Sequence, residues 1–219
     1  MERIRRIRII GITPAAQAWP PAKSCIHDGT VERFSMMANY NSDPSTPSFK
    51  TTPVSFIFPD DGLVPNSPLP FLLYKSAIEV DGHPEEAIEN LFSANGWGQM
   101  WRNGVYDYLH YHATVHEALG VARGRALVRF GGSHGEDFEI RKGDVAILPA
   151  GTGHQCLSSS DDFRVIGAYP PGPPMQVTRP TPENYRLAIR IIPRVALPDS
   201  DPVYGQSGPL VELWKKGRR

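Results

Sequence analysis

The sequence predicts an all-β protein, a jelly-roll barrel of short strands with one short helix before it and an irregular C-terminal wrap after it. Its 219 residues include 20 Gly and 22 Pro, which interrupt long helices and suit short strands joined by turns. Short runs of alternating apolar and polar residues between positions 105 and 170 add up to about eight strands, the number that a jelly roll needs. A hydrophobic content of 40% is enough for one sizeable core.

Overall composition limits the class of partner. Lys plus Arg and Asp plus Glu balance at 23 each, so the chain has no net charge to attract nucleic acid or an acidic membrane. No apolar run is long enough to span a bilayer. Cys25 and Cys156 are too few for the disulfide framework of a small secreted domain. We therefore expect a soluble, cytoplasmic protein whose partner is a small-molecule substrate, with no nucleic acid and no membrane.

Residues 1–52 differ in pattern from the rest of the chain. Arg alternates with Ile over positions 3–10, and a run rich in Pro, Ser and Asn follows, without the periodicity of a helix or a strand. We expect a disordered N-terminal extension or a start codon assigned too far upstream. The Arg-rich, acid-poor start leaves a mitochondrial presequence as the alternative. The folded domain is then residues 53–214, with its core at 104–170 and a basic tail at 215–219.

Local signals predict the elements that flank the core. Residues 54–58 and 69–74 are apolar and extended, as strands are. After residue 169 the chain turns Pro-rich and irregular. Trp214 and its aliphatic neighbours would be costly to leave in water, so we expect this tail to wrap back onto the barrel or onto a partner subunit.

One helix is predicted, over residues 81–96. Pro84 suits its first turn, acidic residues cluster near its positive end, and Gly96 suits a left-handed stop. Its apolar positions form one stripe, which predicts that the helix packs against the outside of the barrel. Trp97 and Trp101 follow directly, and we expect both to pack at that junction.

Two spaced motifs lie in the core of the chain. The first motif consists of Gly104, His110, His112, Glu117 and Gly124. The gaps between successive members are five, one, four and six residues. The second motif consists of Gly143, Pro149, Gly151 and His154, with gaps of five, one and two residues between successive members. Together the motifs contribute three imidazoles and one carboxylate at fixed spacings.

This spacing has a chemical reason. Side chains alternate along a strand, so His110 and His112 face one interior, roughly 6–7 Å apart along the chain. Residues 113–116 can turn the chain, so that a second strand begins at Glu117, and a later glycine turn ends on His154. Three imidazole nitrogens and one carboxylate oxygen suit a divalent first-row metal. The sequence therefore predicts these four side chains as the ligands of an octahedral ion, with two positions left for water, substrate or dioxygen.

The remaining histidines of this region fit the pattern less well. A single His in a β protein is usually a hydrogen-bonded structural residue, and it is the complete spacing that favours ligation by the four. His116 should point to the opposite face from Glu117, and it is the alternative ligand at this position. His134 lies in a glycine-rich turn between strands, where we expect it to be solvated.

Three other side chains are candidates for the same cavity. Tyr106 and Tyr108 share the parity of the His pair, so these phenols either position substrate, as candidate catalytic residues, or simply fill the barrel. Cys156 lies two residues after His154 and hence on the same face of a regular strand. We expect Cys156 to line the pocket as a small apolar residue rather than to act as a nucleophile.

The two motifs resemble those of the cupin family, and every position but one is met. The second motif usually ends in Asn, and Ser158 stands there instead. Further runs, at residues 92–97, 116–121, 163–170 and 201–205, are similar to a single-domain cupin family of bacteria and fungi. The resemblance extends over residues 53–214. Some fungal members of that family occur among genes for aromatic polyketides of the salicylaldehyde type, where they are described as cupin oxidoreductases.

The resemblance implies a double-stranded β-helix that holds one divalent transition metal, Fe²⁺ first, with Mn²⁺, Ni²⁺, Cu²⁺ or Zn²⁺ as the alternatives. It also implies a homodimer in which barrel pairs with barrel. For function, it implies a metal-dependent oxidoreductase or dioxygenase-like enzyme of secondary metabolism, acting on a small oxygenated, aromatic or polyketide-derived molecule.

Two other functions stay open, because cupins host many activities. One is a non-redox, metal-dependent isomerase or cyclase, and the other is a metal-binding or small-molecule-binding protein without catalysis. No Arg or Lys is predicted to face the cavity from the ligand strands, which argues against a 2-oxo acid cosubstrate or a sugar phosphate.

Overall fold

The computed structural model describes residues 52–217, which form two antiparallel β-sheets and three α-helices. One sheet has six strands, which lie side by side in the order Val54–Phe56, Phe71–Tyr74, Val145–Leu148, Glu117–Arg123, Arg164–Tyr169 and Gly98–Asn103, and the other has three, in the order Glu136–Arg141, Arg125–Phe130 and His154–Ser159. The predicted all-β jelly roll is confirmed. The expectations for residues 1–51 and for the last two residues lie outside the described residues.

The nine strands within residues 52–217 are β1 (Val54–Phe56), β2 (Phe71–Tyr74), β3 (Gly98–Asn103), β4 (Glu117–Arg123), β5 (Arg125–Phe130), β6 (Glu136–Arg141), β7 (Val145–Leu148), β8 (His154–Ser159) and β9 (Arg164–Tyr169). The helices are α1 (Pro84–Ala94), α2 (Pro182–Ile191) and α3 (Pro209–Gly217). Strands β1 and β2 lie within the predicted runs at residues 54–58 and 69–74. Six strands, and not about eight, lie between positions 105 and 170, because the chain around His110 and Tyr111 forms isolated bridges instead of a strand.

The two sheets face each other across a shared apolar core. Leu119 and Val121 of β4 pack with Val128 and Phe130 of β5 and with Ile140 of β6. The alternate residues of β4 pack on the outer face of the large sheet. Because β4 pairs with β7 on one side and β9 on the other, its first residue is held firmly at one end of the core.

Helix α1 packs on the outer face of the large sheet, as predicted. Its buried residues Ile88 and Phe92 lie over Gly120 of β4, where a Cβ atom would come 2.7 Å from Ile88 Cγ2 and 3.0 Å from Phe92 Cζ. Glycine at this position therefore lets the helix approach the sheet. Trp97 packs at the junction as expected, and its Nε1–H donates to the Ser200 carbonyl over 3.0 Å.

The expectation for Trp101 is wrong. Trp101 packs against the core between the sheets instead of at the helix junction. A β-bulge between Gly98 and Trp101, with Gln99 at φ +51°, shifts the alternation of side chains and turns the indole inward. There the ring lies against Gly167 of β9, where a Cβ atom would come 2.1 Å from it.

The C-terminal segment is more regular than the sequence predicted, because it contains α2 and α3. Thr181 caps α2 by accepting a hydrogen bond from the Asn184 N–H over 3.2 Å, and Pro182 occupies the first turn. Helix α2 and the turn after it bury one apolar side. Ala188 and Ile192, four residues apart in sequence, lie on that side and belong to the same buried cluster.

Helix α3 brings the tail back onto the barrel, which confirms the predicted wrap. Trp214 is 1% exposed, and its Nε1–H donates to the Pro70 carbonyl over 2.8 Å. The buried Asp201 carboxylate fastens the preceding turn by accepting from the Leu210 N–H and from the Tyr74 hydroxyl. Helix α3 includes two lysines of the predicted basic tail. Within residues 52–217 no helix combines the length and apolar character that crossing a bilayer requires.

Replacing Gly120 with Ala tests the docking of α1. The added methyl group overlaps Ile88 and Phe92, so we expect the free energy of unfolding in urea to fall by about 1–3 kcal/mol. Gly98→Ala is the matched control, because a Cβ atom there meets nothing within 4 Å. Its effect should stay within about 0.5 kcal/mol. Equal losses in the two variants would contradict the close approach of α1 at Gly120.

Candidate metal centre

Three buried imidazoles converge at one end of the core. Ligand nitrogens of His110, His112 and His154 all lie within 4.8 Å of one another, and the three residues are 2–5% exposed. His110 and His154 exchange two backbone hydrogen bonds, of 3.2 and 2.8 Å, and the Gly151 N–H donates to the His112 carbonyl over 2.8 Å. The segment around His110 is therefore tied to the loop that ends on His154. His110 and His112 share an interior, as predicted, although they do not lie in a regular strand.

Each imidazole is oriented by a hydrogen bond from its Nδ1 atom to a main-chain carbonyl. His110 donates to Tyr108 O over 3.0 Å, His112 to Gln176 O over 2.8 Å, and His154 to Thr152 O over 3.1 Å. A carbonyl oxygen can only accept, so Nδ1 carries the hydrogen and the neutral ring keeps its lone pair on Nε2. This is the outer contact that metal-ligating histidines usually have.

Glu117, the first residue of β4, borders the three imidazoles. It is 1% exposed, and its Oε1 and Oε2 atoms lie 3.3 Å from His112 Nε2 and His154 Nε2, respectively. Oε1 accepts a hydrogen bond of 2.8 Å from the Tyr169 hydroxyl, whereas Oε2 is buried without a hydrogen-bond donor. A buried carboxylate oxygen without a donor is costly, and a cation would compensate it. These donor atoms therefore fit a divalent metal ion.

The charge states of the site suit a cation as well. Burial, and then the neighbouring His154, lower the pKa of His110 to about 3, so this ring is neutral. Burial opposes the charged forms of His112 and Glu117, but their contact raises the pKa of His112 and keeps the pKa of Glu117 well below its usual range. Burial, followed by the charge of Glu117, raises the pKa of Tyr169, so the phenol stays protonated. A negative carboxylate thus lies beside the imidazoles.

Asn66 positions the loop that carries His154. It is buried at φ +54°, its Nδ2 donates to Pro59 O and Gly131 O, and its Oδ1 accepts from the Gly153 N–H over 3.2 Å. Its own N–H donates to the Gly151 carbonyl over 3.1 Å. The sequence did not identify this residue. Its place between two prolines is typical of a loop, but nothing in the sequence indicates the second loop, which it contacts.

A cavity of about 280 Å³ opens above the imidazoles. His110, His112, Glu117 and His154 lie among its lining residues, and its apolar lining includes Trp101, Val105, Leu119, Met175 and Val177. The residues 175–179, here named the strap, follow β9 and cover one side. The strap is tied down where Gln176 O accepts from His112 and where Thr178 exchanges two backbone hydrogen bonds with Tyr111.

The predicted tyrosines are placed differently from each other. Tyr106 lines the cavity and is 47% exposed, so it stands at the mouth and does not fill the barrel. Tyr108 is not among the described residues that line the cavity. Its ring stacks on Tyr106 with centroids 4.8 Å apart, and the Arg179 guanidinium of the strap lies 3.9 Å from its centroid. A role of either phenol in positioning substrate stays a prediction.

The other sequence candidates lie outside the imidazole group. His116 accepts a hydrogen bond at Nδ1 from the Ala150 N–H over 2.9 Å, and its ring packs 4.6 Å from that of Trp214. His134 is exposed in a short 3-10 turn, as expected. The expectation that Cys156 lines the pocket is wrong, because Cys156 is not among the described residues that line the cavity and its half-buried side chain packs against the core between the sheets instead.

Two residues of the site that sequence reasoning missed are Tyr169 and Trp101. The register of β4 against β9 aligns Ala118 with Ala168, so the next pair along brings Glu117 beside Tyr169. This contact joins residues 52 positions apart. A single sequence does not show which residue of a neighbouring strand Tyr169 contacts, so nothing in the sequence indicated this pair.

Comparison with known proteins identifies the family. The model of the family described as Cupin matches residues 98–194. The protein YjlB of Bacillus subtilis (strain 168), which is described as uncharacterized, is 39% identical over 163 residues, covering 74% of this chain and 96% of YjlB.

Solved structures include more distant likenesses. Acireductone dioxygenase from Bacillus anthracis, with a cadmium ion in its active centre, is 16% identical over 43% of this chain and 60% of that chain, with a TM-score of 0.28. RmlC from Streptococcus suis, in complex with dTDP-D-xylose, is 17% identical over 56% of this chain and 71% of that chain, with a TM-score of 0.30. Neither likeness carries an activity over to this chain. The match to the family model and the identity with YjlB over nearly its whole length place this chain in the cupin family.

Proposed function

We propose that this chain is a metal-dependent oxidoreductase whose ligands are Nε2 of His110, His112 and His154 and Oε2 of Glu117. The observation that carries the proposal is the combination of three oriented, buried imidazoles and a donorless carboxylate oxygen beneath an open cavity. When bound, a divalent ion, Fe²⁺ in the favoured case, supplies Lewis acidity and one-electron chemistry with dioxygen.

The chain's own residues select the substrate by shape and polarity. The cavity of about 280 Å³ is larger than the roughly 150 Å³ cavity that admits benzene, so a substituted aromatic ring fits. Trp101, Leu119 and Val177 supply apolar walls, while the polar groups are gathered at the base. We therefore propose a small aromatic or polyketide-derived metabolite whose oxygen atoms point to the base and whose apolar body contacts the walls.

The walls also indicate a substrate without a strong negative charge. Of the described residues that line the cavity, Arg102 is the one Lys or Arg, and its Nε and Nη2 donate to the two Glu89 carboxylate oxygens over 2.6 and 2.7 Å. This bidentate pair neutralises the guanidinium. A 2-oxo acid or a sugar phosphate would find no unpaired guanidinium here, whereas a neutral phenol or aldehyde needs none.

Metal content tests the ligand set. Protein purified with its metal should contain about one ion per chain, and His112→Ala and His154→Ala should each reduce this to under about a tenth, because three donors hold a divalent ion far less tightly than four. Elemental analysis of the purified variants measures the loss. His134→Ala, an exposed His outside the group, is the control and should keep the wild-type content. Unchanged content in His112→Ala and His154→Ala would contradict the proposed site.

Oxygen uptake tests the reaction class. We expect the protein, reconstituted with Fe²⁺ under nitrogen, to consume dioxygen in step with the loss of a substituted phenol or hydroxybenzaldehyde, and His112→Ala to show no uptake. An oxygen electrode and product analysis by mass spectrometry provide the two readouts. Turnover without oxygen uptake would replace the proposal with an isomerase or cyclase. Binding of the same compounds without turnover would replace it with a binding protein.

Glu89→Gln tests the proposal that the cavity favours a substrate without a strong negative charge. Loss of the Glu89 charge frees the Arg102 guanidinium at the cavity, so benzoate should bind about three- to tenfold more tightly, while neutral benzyl alcohol should bind as before. Tryptophan fluorescence follows binding, because Trp101 lines the cavity. Glu85→Gln is the matched control, since it frees Arg123, which lies outside that cavity. An equal gain for benzoate in both variants would contradict the role of the Arg102 pair.

A further inference from the structure

We propose that Tyr169, itself oriented by Trp101, is a positioning residue for Glu117. Its hydroxyl occupies Oε1 of the carboxylate and thereby leaves Oε2 as the oxygen offered to a metal. This inference rests on the metal site proposed above and adds to it two hydrogen-bonding residues, Trp101 and Tyr169, that neither motif contains.

The three side chains form a buried chain of hydrogen bonds. The Trp101 Nε1–H donates to the Tyr169 hydroxyl over 2.6 Å, and that hydroxyl donates to Glu117 Oε1 over 2.8 Å. Tyr169 is 2% exposed and Glu117 1% exposed, so water competes little for either bond. All three residues line the cavity.

The direction of the chain is fixed by chemistry. An indole N–H can only donate, so the Tyr169 oxygen must accept it and direct its single proton elsewhere. Glu117 Oε1 is the acceptor within reach. The phenol therefore acts as a donor to Glu117 and does not compete with the carboxylate for a cation.

The fold holds both donors in place. The Trp101 ring lies on Gly167, where even a methyl group would come within 2.1 Å of it. Gly167 and Tyr169 belong to β9, which pairs with β3 on one side and with β4 on the other. Backbone pairing thus fixes the distance from the indole to the carboxylate through three neighbouring strands.

The consequence for the site is a carboxylate with two unlike oxygens. Oε1 is committed to Tyr169, and Oε2 faces His154 at 3.3 Å without a donor. Without the phenol, the carboxylate would be free to rotate, and both oxygens would compete for the imidazoles and for the ion. Loss of such an outer contact typically weakens metal binding by about 10–100-fold.

A matched control exists elsewhere in the chain. Tyr74 also donates from a buried phenol to a buried carboxylate, that of Asp201, in the apolar cluster beneath α1 and α3. Tyr74→Phe removes the same kind of bond as Tyr169→Phe. It should lower stability without changing the metal site, because Tyr74 contacts none of the four proposed ligands.

Titration of the full-length chain with Co²⁺ is the test. We expect Tyr169→Phe to raise the Co²⁺ dissociation constant about 10–100-fold and to change the visible absorption of the loaded protein. Tyr74→Phe should leave both readouts at their wild-type values. Trp101→Phe should weaken binding less than Tyr169→Phe, and the double variant should bind like Tyr169→Phe alone, because Trp101 acts through Tyr169.

Two outcomes would overturn the inference, and a third would overturn the site beneath it. A Tyr169→Phe variant with wild-type affinity and spectrum would show that the phenol does not position Glu117. Losses that multiply in the double variant would show that Trp101 acts independently of Tyr169. A wild-type chain that binds no Co²⁺ would overturn the proposed metal site, and this inference with it.

Discussion

The hydrogen bonds from three imidazole Nδ1 atoms to main-chain carbonyls are the constraint on which the rest of the site depends. The carbonyls belong to Tyr108, Thr152 and Gln176, which lie in three separate segments, so all three segments must be held at once. The exchange of backbone bonds between His110 and His154 holds the first two together, and the bridge from Tyr111 to the strap holds the third. Because carbonyls accept only, this backbone arrangement also sets which ring nitrogen faces the interior.

The charge of Glu117 and the shape of the cavity both bear on the space in front of the three imidazoles. The Glu117 carboxylate lies buried beside the three imidazoles, one of its oxygens accepts a hydrogen bond from Tyr169, and the other has no donor and is the oxygen proposed to bind a cation. Above the carboxylate, the apolar walls and the guanidinium already paired with Glu89 support the proposed uncharged, oxygen-bearing substrate. Membership of the cupin family agrees with a metal at this place, but a fold does not give a substrate, which must be inferred from the residues that line the cavity.

The sequence predicted what depends on local pattern. The motif spacing predicted that His110, His112, Glu117 and His154 lie close together, and the apolar stripe of α1 predicted which face of the helix packs on the sheet. It missed what depends on non-local pairing or on a local irregularity. Trp101 turns inward only because of the bulge at Gln99, and Tyr169 meets Glu117 only through the register of β4 and β9. The C-terminal helices escaped notice because their apolar runs are short and interrupted by prolines, and their stability comes from packing on the barrel.

Anomalous X-ray diffraction from crystals of the metal-loaded protein tests the central claim most directly. We expect one strong anomalous peak per chain, at about 2.0–2.2 Å from Nε2 of His110, His112 and His154 and from Oε2 of Glu117. Each Nδ1 atom should remain hydrogen-bonded to its carbonyl. A peak bound through Nδ1, a peak away from these four side chains, or no peak in crystals of protein with a measured metal content of one would contradict it.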